Sequence, residues 1–244
     1  MIDEILEITC WFQRPGPFLS DADHVVGFQR LSQDLTEVAP GLKGLAFKTD
    51  QDASPVPIDD PALPNTVTDF FEQFQKDHPD DELSKFVSGS KPFLGPDGKV
   101  IWPYRIMYMW DGLPNHDWLR IEWPLNFSET RITAELVADL VGILTSWRTA
   151  SLVSAAPYAL KIAGKRFPEY HSSGFGIWLP SLPTGMEIDE THFDRFINDG
   201  RLIMTAPAMF NLADATALER LLKIDTQLIE AAALPSLERY PPQL

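Results

Sequence analysis

Two short segments flanking residues 111–117 restrict the fold more than anything else in the chain. Trp102, Trp110, Trp118 and Trp123 fall close together, with Tyr104, Met107, Tyr108 and Met109 between them. In WLRIEWPL, Trp118, Arg120 and Glu122 alternate with Leu119, Ile121 and Trp123, which is the period-two pattern of a strand. Val100–Trp110 and Trp118–Leu125, preceded by the turn Gly95-Pro96-Asp97-Gly98 and joined by DGLPNHD, therefore read as an antiparallel hairpin with a longer loop. Strands carrying aromatics on both sides are either buried on both faces or expose one of them as a contact surface. Core packing is the first reading. Under the second, Trp110 and Trp118 are candidate anchors of a protein interface.

Other elements follow from the same periodicities. ILEITCWFQ (residues 5–13) alternates Leu6, Ile8, Cys10 and Phe12 on one face and reads as a strand. Ser20 is a good N-cap for a helix over about 21–37, ended by Pro40-Gly41. Leu45–Thr49 reads as a short strand, and 50–65, with Pro55, Pro57, Pro61 and Pro64, as a loop. A helix is expected over 66–77, stopping at His78-Pro79 because the residue before proline avoids helical geometry. Asp80, Asp81 and Glu82 are placed to cap a further short helix containing Leu83 and Phe86. Ile132, Leu136, Val137, Leu140, Ile143, Leu144 and Trp147 predict an amphipathic helix over 130–148, capped by Ser128. Residues 151–162 read either as a strand broken at Pro157 or as a small-residue helix. Beyond them the pattern gives a strand at Gly174–Leu179, a short helix at Asp189–Ile197, a strand at Leu202–Thr205 and a final helix over 213–232.

Helices mixed with an antiparallel hairpin predict an α+β fold, an antiparallel sheet with a central tryptophan-rich hairpin packed by several helices. No repeat and no Gly/Ser-rich linker divides the sequence, so residues 1–244 are read as one domain. The single cysteine, Cys10, excludes an intrachain disulfide and a cysteine-based zinc site. The N-terminal stretch lacks the basic and apolar regions of a secretory signal, and no apolar run approaches the roughly 18–20 residues of a membrane span. A cytoplasmic location is the expectation.

Charge adds a constraint on partners. Asp and Glu number 35 against 20 Lys and Arg, a formal net charge of −15. Residues 1–100 hold 18 of those acids and 8 of the bases, so the excess is greatest there. Phosphate backbones and anionic lipid would repel such a chain, whereas a basic protein would be drawn to it. The acidic concentrations are Asp50 and Asp52, Asp59-Asp60, Asp80-Asp81-Glu82, and Glu187, Asp189, Glu190, Asp194 and Asp199. They read first as solvated surface and second as a charge-complementary interface.

Catalytic patterns are lacking. The histidines at 24, 78, 116, 171 and 192 are scattered, with no HExxH and no CxxC. GxSxG, GxxxxGK[ST] and GxGxxG are all missing. Cys10, on the inward face of its strand, reads as a buried structural thiol. No cofactor, metal or catalytic residue is assigned, and the chain is not expected to be an enzyme. The alternatives are a hydrolase assembled across the fold from carboxylates with His116 or His171, and a non-catalytic scaffold subunit.

The strands RIMYMWDG and WLRIEWPLNF, the helix RITAELVADLVGIL and the later GFGIWLPSLP together resemble bacterial immunity proteins of polymorphic-toxin and type VI secretion systems, in particular the group paired with restriction-endonuclease-like toxins. The resemblance covers most of the chain and is one of layout, without a diagnostic motif. It implies binding of a cognate toxin, a nuclease with a basic groove, and carries over no family residue. The candidate toxin-binding residues are then Asp50, Asp52, Asp59, Asp60, Asp80, Asp81, Glu82, Trp110, Trp118, Glu187, Asp189 and Glu190.

Overall fold

The computed structural model describes residues 5–14, 19–48, 54–79, 85–91, 104–113, 116–124, 132–163, 167–210 and 213–236. Along them run β1 (Ile5–Gln13), α1 (Asp21–Val38), a 3-10 turn (Pro40–Leu42), β2 (Ala46–Phe47), β3 (Val56–Pro57), α2 (Leu63–Asp77), β4 (Lys85–Lys91), β5 (Tyr104–Leu113) and β6 (His116–Pro124). Then come α3 (Ala134–Trp147), β7 (Ala150–Pro157), α4 (Tyr158–Ala163), β8 (Gly176–Leu179), β9 (Phe193–Ile197), β10 (Gly200–Met204) and α5 (Ala215–Glu230). The strand order is β3-β2-β4-β5-β6-β1-β7-β8-β10-β9, and every pairing with a described register is antiparallel. Five helices with an antiparallel sheet make the α+β fold the sequence predicts. Two compact units are distinguished: Phe12–Glu122, and Met1–Trp11 with Trp123–Leu244.

Within Phe12–Glu122, α1 starts where Ser20 places it. The Ser20 hydroxyl accepts from the Asp23 amide (3.2 Å), and the Asp23 carboxylate accepts from the Ser20 amide (3.0 Å). This reciprocal capping box satisfies two backbone donors that the helix start leaves unpaired. Val25, Phe28, Leu31 and Leu35 then form the buried stripe of α1. Helix α2 starts three residues earlier than its apolar periodicity suggests, because the Asp60 carboxylate accepts from the Ala62 amide (2.8 Å) and Pro64 sits in the first turn, where a missing N–H costs nothing. It stops at His78, before Pro79, as expected. The segment read as loop 50–65 also contains the two-residue β3, paired with β2.

Phe86 is in a strand, contrary to the short helix expected there. β4 pairs with β5 from Lys85↔Trp110 to Lys91↔Tyr104, and these cross-strand bonds outweigh the local helical pattern. The supposed caps at 80–82 lie outside the described residues, as does the 95–98 turn. The β5–β6 hairpin is tighter than the seven-residue loop predicts, since Leu113 pairs with His116 after a register shift beginning at Met109.

In the other unit, β7 is buried along its whole length, and α4 follows it directly. Both readings of 151–162 are therefore realised in succession, with Pro157 at the junction. Helix α3 begins at Ala134, capped by Thr133, whose hydroxyl accepts from the Leu136 amide (3.2 Å). Ser128 is not its cap, and 125–131 lie outside the described residues. Asp214 caps α5 in the same way, accepting from Ala217 at 3.0 Å. The helix expected at 189–197 is replaced by β9. FDRFI fits period two as well as i, i+3, i+4, and the turn after it lets the chain fold back onto β10, with Gly200 opposite Ile197.

Candidate partner-binding surface

Strand β9 stands at one end of the strand order and is paired, among the described residues, with β10 alone. Alternation assigns its side chains to two faces. On one face, Ile197 approaches α3 near Gly142, Arg195 pairs with Glu135 of the same helix, and the Arg195 guanidinium lies 4.2 Å from the Phe193 ring. Asn198 takes a left-handed backbone (φ 51°) and donates to the Gly142 carbonyl (3.0 Å), tying the hairpin turn to α3. On the other face, Phe196 lies opposite Arg201 in register. Its side chain is 78% exposed, a large apolar group facing water.

The charges around this hairpin are unequally committed. Arg201 donates through Nε to Asp194 (2.9 Å) and through Nη1 to the Met186 carbonyl (2.9 Å), which draws the loop bearing Glu187 toward the position opposite Phe196. Lys223 of α5 donates to Glu190 (2.9 Å), and that bond, with the carboxylate's charge, raises the lysine pKa above its ordinary value. The Gln227 amide oxygen accepts from the Asp189 backbone N–H (3.0 Å) and fixes the loop. Arg195, Arg201 and Lys223 are thus each matched by a carboxylate. Glu187, Asp189 and Asp199 are exposed and have no ion pair among the described residues.

A second concentration of polar groups lies inside the Phe12–Glu122 unit. The Tyr108 hydroxyl donates to Asp117 (2.7 Å) and lies 2.8 Å from His24 Nδ1. Arg14 Nε is 3.6 Å from the other Asp117 oxygen. The His24 ring stacks on Trp110 at 5.1 Å, and the Trp110 indole N–H donates to Asp21 (3.0 Å), which also binds Lys85. Tyr108 and Asp117 are both 0% exposed. Such a buried, hydrogen-bonded network sets the mutual positions of α1, β5 and β6.

The chain's fold is similar to that of the Pseudomonas aeruginosa T6SS protein PA0821. The TM-score is 0.53 with 12% identity, over 93% of this chain and 76% of that one. At that identity the likeness concerns the fold. No family model matches the sequence, and no curated protein is significantly similar to it.

The predicted site residues separate into distinct groups. Trp110 and Trp118 are each only 1% exposed; they are core side chains, and the reading of them as exposed anchors is corrected. The hairpin carries aromatics on both faces because both faces are covered. Asp60 is committed to the start of α2, whereas Asp59 is exposed at a shallow depression shared with Gln29, Gln33, Thr36 and Lys43. Glu187, Asp189 and Glu190 are all exposed in the loop entering β9. Asp50, Asp52, Asp80, Asp81 and Glu82 lie outside the described residues. His171, named for the hydrolase alternative, is buried edge-on against Trp11, with ring centroids 4.9 Å apart. Sequence reading missed Phe196 as a surface residue by placing it on the apolar side of a helix. The signal available was the Asn198-Asp199-Gly200 turn, which marks a hairpin. No helix among the described residues is long and apolar enough to cross a membrane.

Proposed function

We propose that this chain is an immunity protein of a type VI secretion or polymorphic-toxin system, acting in the cytoplasm and without catalysis of its own. It binds a secreted toxin, a nuclease with a basic substrate groove, and neutralises it through an acidic surface. The observation that carries the reading is the surplus of exposed carboxylates at Glu187, Asp189 and Asp199, which have no ion pair among the described residues, whereas Arg195, Arg201 and Lys223 each pair with another carboxylate. The fold shared with a T6SS protein and the net charge of −15 support the setting. A nuclease groove must be positive to hold phosphates. Unneutralised carboxylates accelerate encounter with such a groove and then compete with its substrate.

The test is co-expression with the toxin candidate from a neighbouring reading frame, followed by association kinetics on the purified pair. The wild type should rescue growth. The variant Glu187→Lys/Asp189→Lys/Asp199→Lys should associate about tenfold or more slowly at low salt, with the gap narrowing once the Debye length falls below ~8 Å. An unchanged rate at low salt removes these carboxylates from the mechanism, and failure of rescue and binding removes the immunity reading.

A further inference from the structure

We infer that the outer edge of β9 is a strand-addition site, which takes an extended segment of the toxin bearing alternating apolar and basic side chains, with Phe196 as the anchor. This deepens the immunity reading and rests on it. The observations are independent of net charge. β9 ends the strand order and has one neighbour among the described residues. One edge of its backbone therefore has donors and acceptors that a further strand can use. Natural edge strands are blunted by bulges, prolines or inward charges. β9 is short and carries Asp194 and Arg195, but it also presents Phe196, next to its end, as a phenylalanine 78% exposed. An exposed aromatic of that size is the kind of group that carries binding energy once a partner buries it.

The hairpin is also held rigidly enough to act as a template. Asn198 is bonded to α3, the Trp178 indole N–H donates to the Ile197 carbonyl (3.0 Å), and Arg195 pairs with Glu135. A partner strand would meet a preformed edge and lose little free energy in ordering it.

Charge decides the occupant. Arg195 and Arg201 of the hairpin and Lys223 of α5 each pair with a carboxylate, whereas the exposed Glu187, Asp189 and Asp199, in the loop entering β9 and the turn leaving it, have no ion pair among the described residues. Lys or Arg residues flanking an apolar residue complement those carboxylates. Nucleic acid and anionic lipid are repelled by them. A second copy of this chain would bring the same carboxylates together, and antiparallel pairing centred on β9 sets Arg195 against Arg195, which is unfavourable for directly opposed residues.

The experiment uses the full chain and the neighbouring-frame toxin, rendered catalytically inactive. Amide hydrogen exchange is measured on this chain with and without toxin, and affinity is compared for wild type, Phe196→Ala and Phe196→Ser. Binding should slow exchange at residues 193–197. Each variant should weaken binding about 10- to 100-fold while keeping the wild-type melting temperature, since the ring is exposed in the unbound protein. Protection at 193–197 without toxin, rising with protein concentration, would make a second copy the occupant and overturn the inference. Tight toxin binding with unprotected β9 amides and unaltered Phe196 variants would overturn the β9 site while leaving the immunity reading standing. No binding or rescue by the wild type would remove both.

Discussion

Replacing Tyr108 by Phe removes one oxygen atom from the interior, so its consequence can be worked from a few distances. The hydroxyl donates to Asp117 at 2.7 Å and lies 2.8 Å from His24 Nδ1. Because its proton points to the carboxylate, it accepts from His24, which places the imidazole hydrogen on Nδ1. A hydrogen bond to a charged acceptor contributes about 1.5–3 kcal/mol, and a neutral one about 1 kcal/mol. Some of this is recoverable. His24 Nδ1 is already 3.9 Å from the same Asp117 oxygen and can move toward it once the hydroxyl is gone. The shift is opposed by the stacking of His24 on Trp110, whose planes differ by only 5°. The expected net loss is therefore ~2–3 kcal/mol, a drop of roughly 4–12 °C in melting temperature for a chain of this length. Urea unfolding followed by tryptophan emission is the suitable assay, because Trp110 sits 5.5 Å from the Tyr108 ring and reports on this region. Asp117→Asn should cost less in the Tyr108→Phe background than alone, since the two share one bond. A Tyr108→Phe midpoint equivalent to less than ~0.5 kcal/mol, or strict additivity with Asp117→Asn, would refute the idea that the network fixes this unit.

Three further outcomes concern the other unit. A Cβ on Gly200 would lie 2.4 Å from Trp178 Cζ2 and 2.5 Å from the Leu179 carbonyl oxygen, so Gly200→Ala should destabilise by about 1–3 kcal/mol in thermal or urea unfolding. Gly142→Ala, on α3 with its nearest contact at 3.9 Å, should instead stabilise by about 0.5–1 kcal/mol; the same sign for both would count against the packing assignment. Cys10 is wholly buried, and burial pushes its thiol well above the ordinary value. Iodoacetamide should therefore label it only on unfolding, and fast labelling of the native protein at neutral pH would place that strand face in water.

How much of this was legible beforehand depends on whether local and long-range preferences agree. Ser20 and Asp23 specify the start of α1 by chemistry within four residues, so the sequence sufficed. The same holds for the stop at His78-Pro79. Phe86 and Phe193–Ile197 were misread because both are short apolar stretches compatible with a helix. What settled them were partners distant in sequence, β5 in one case and β10 in the other. The candidate surface followed suit. The acids at 187–190 were identified from charge and are exposed, but Phe196 could not be seen as exposed until its segment was known to be an edge strand. Trp110 and Trp118 failed as anchors for the opposite reason: side-chain type is shared by cores and interfaces, and only burial distinguishes them.

Under the proposed immunity function, this separation bears on where contact residues can vary. The aromatic hairpin carries Tyr108, Trp110, Asp117 and Trp118, all in contact with the interior, so a substitution there that altered specificity would also cost several kcal/mol of stability. Around β9, the ion pairs of Arg195 and Lys223 involve exposed groups, and exposed pairs contribute little to stability. Phe196, Glu187, Asp189 and Asp199 can vary with almost no effect on folding. A protein that must track a changing partner needs its contact residues where substitution does not unfold it. The edge-strand surface meets that requirement, and the tryptophan hairpin, which first draws the eye in the sequence, does not.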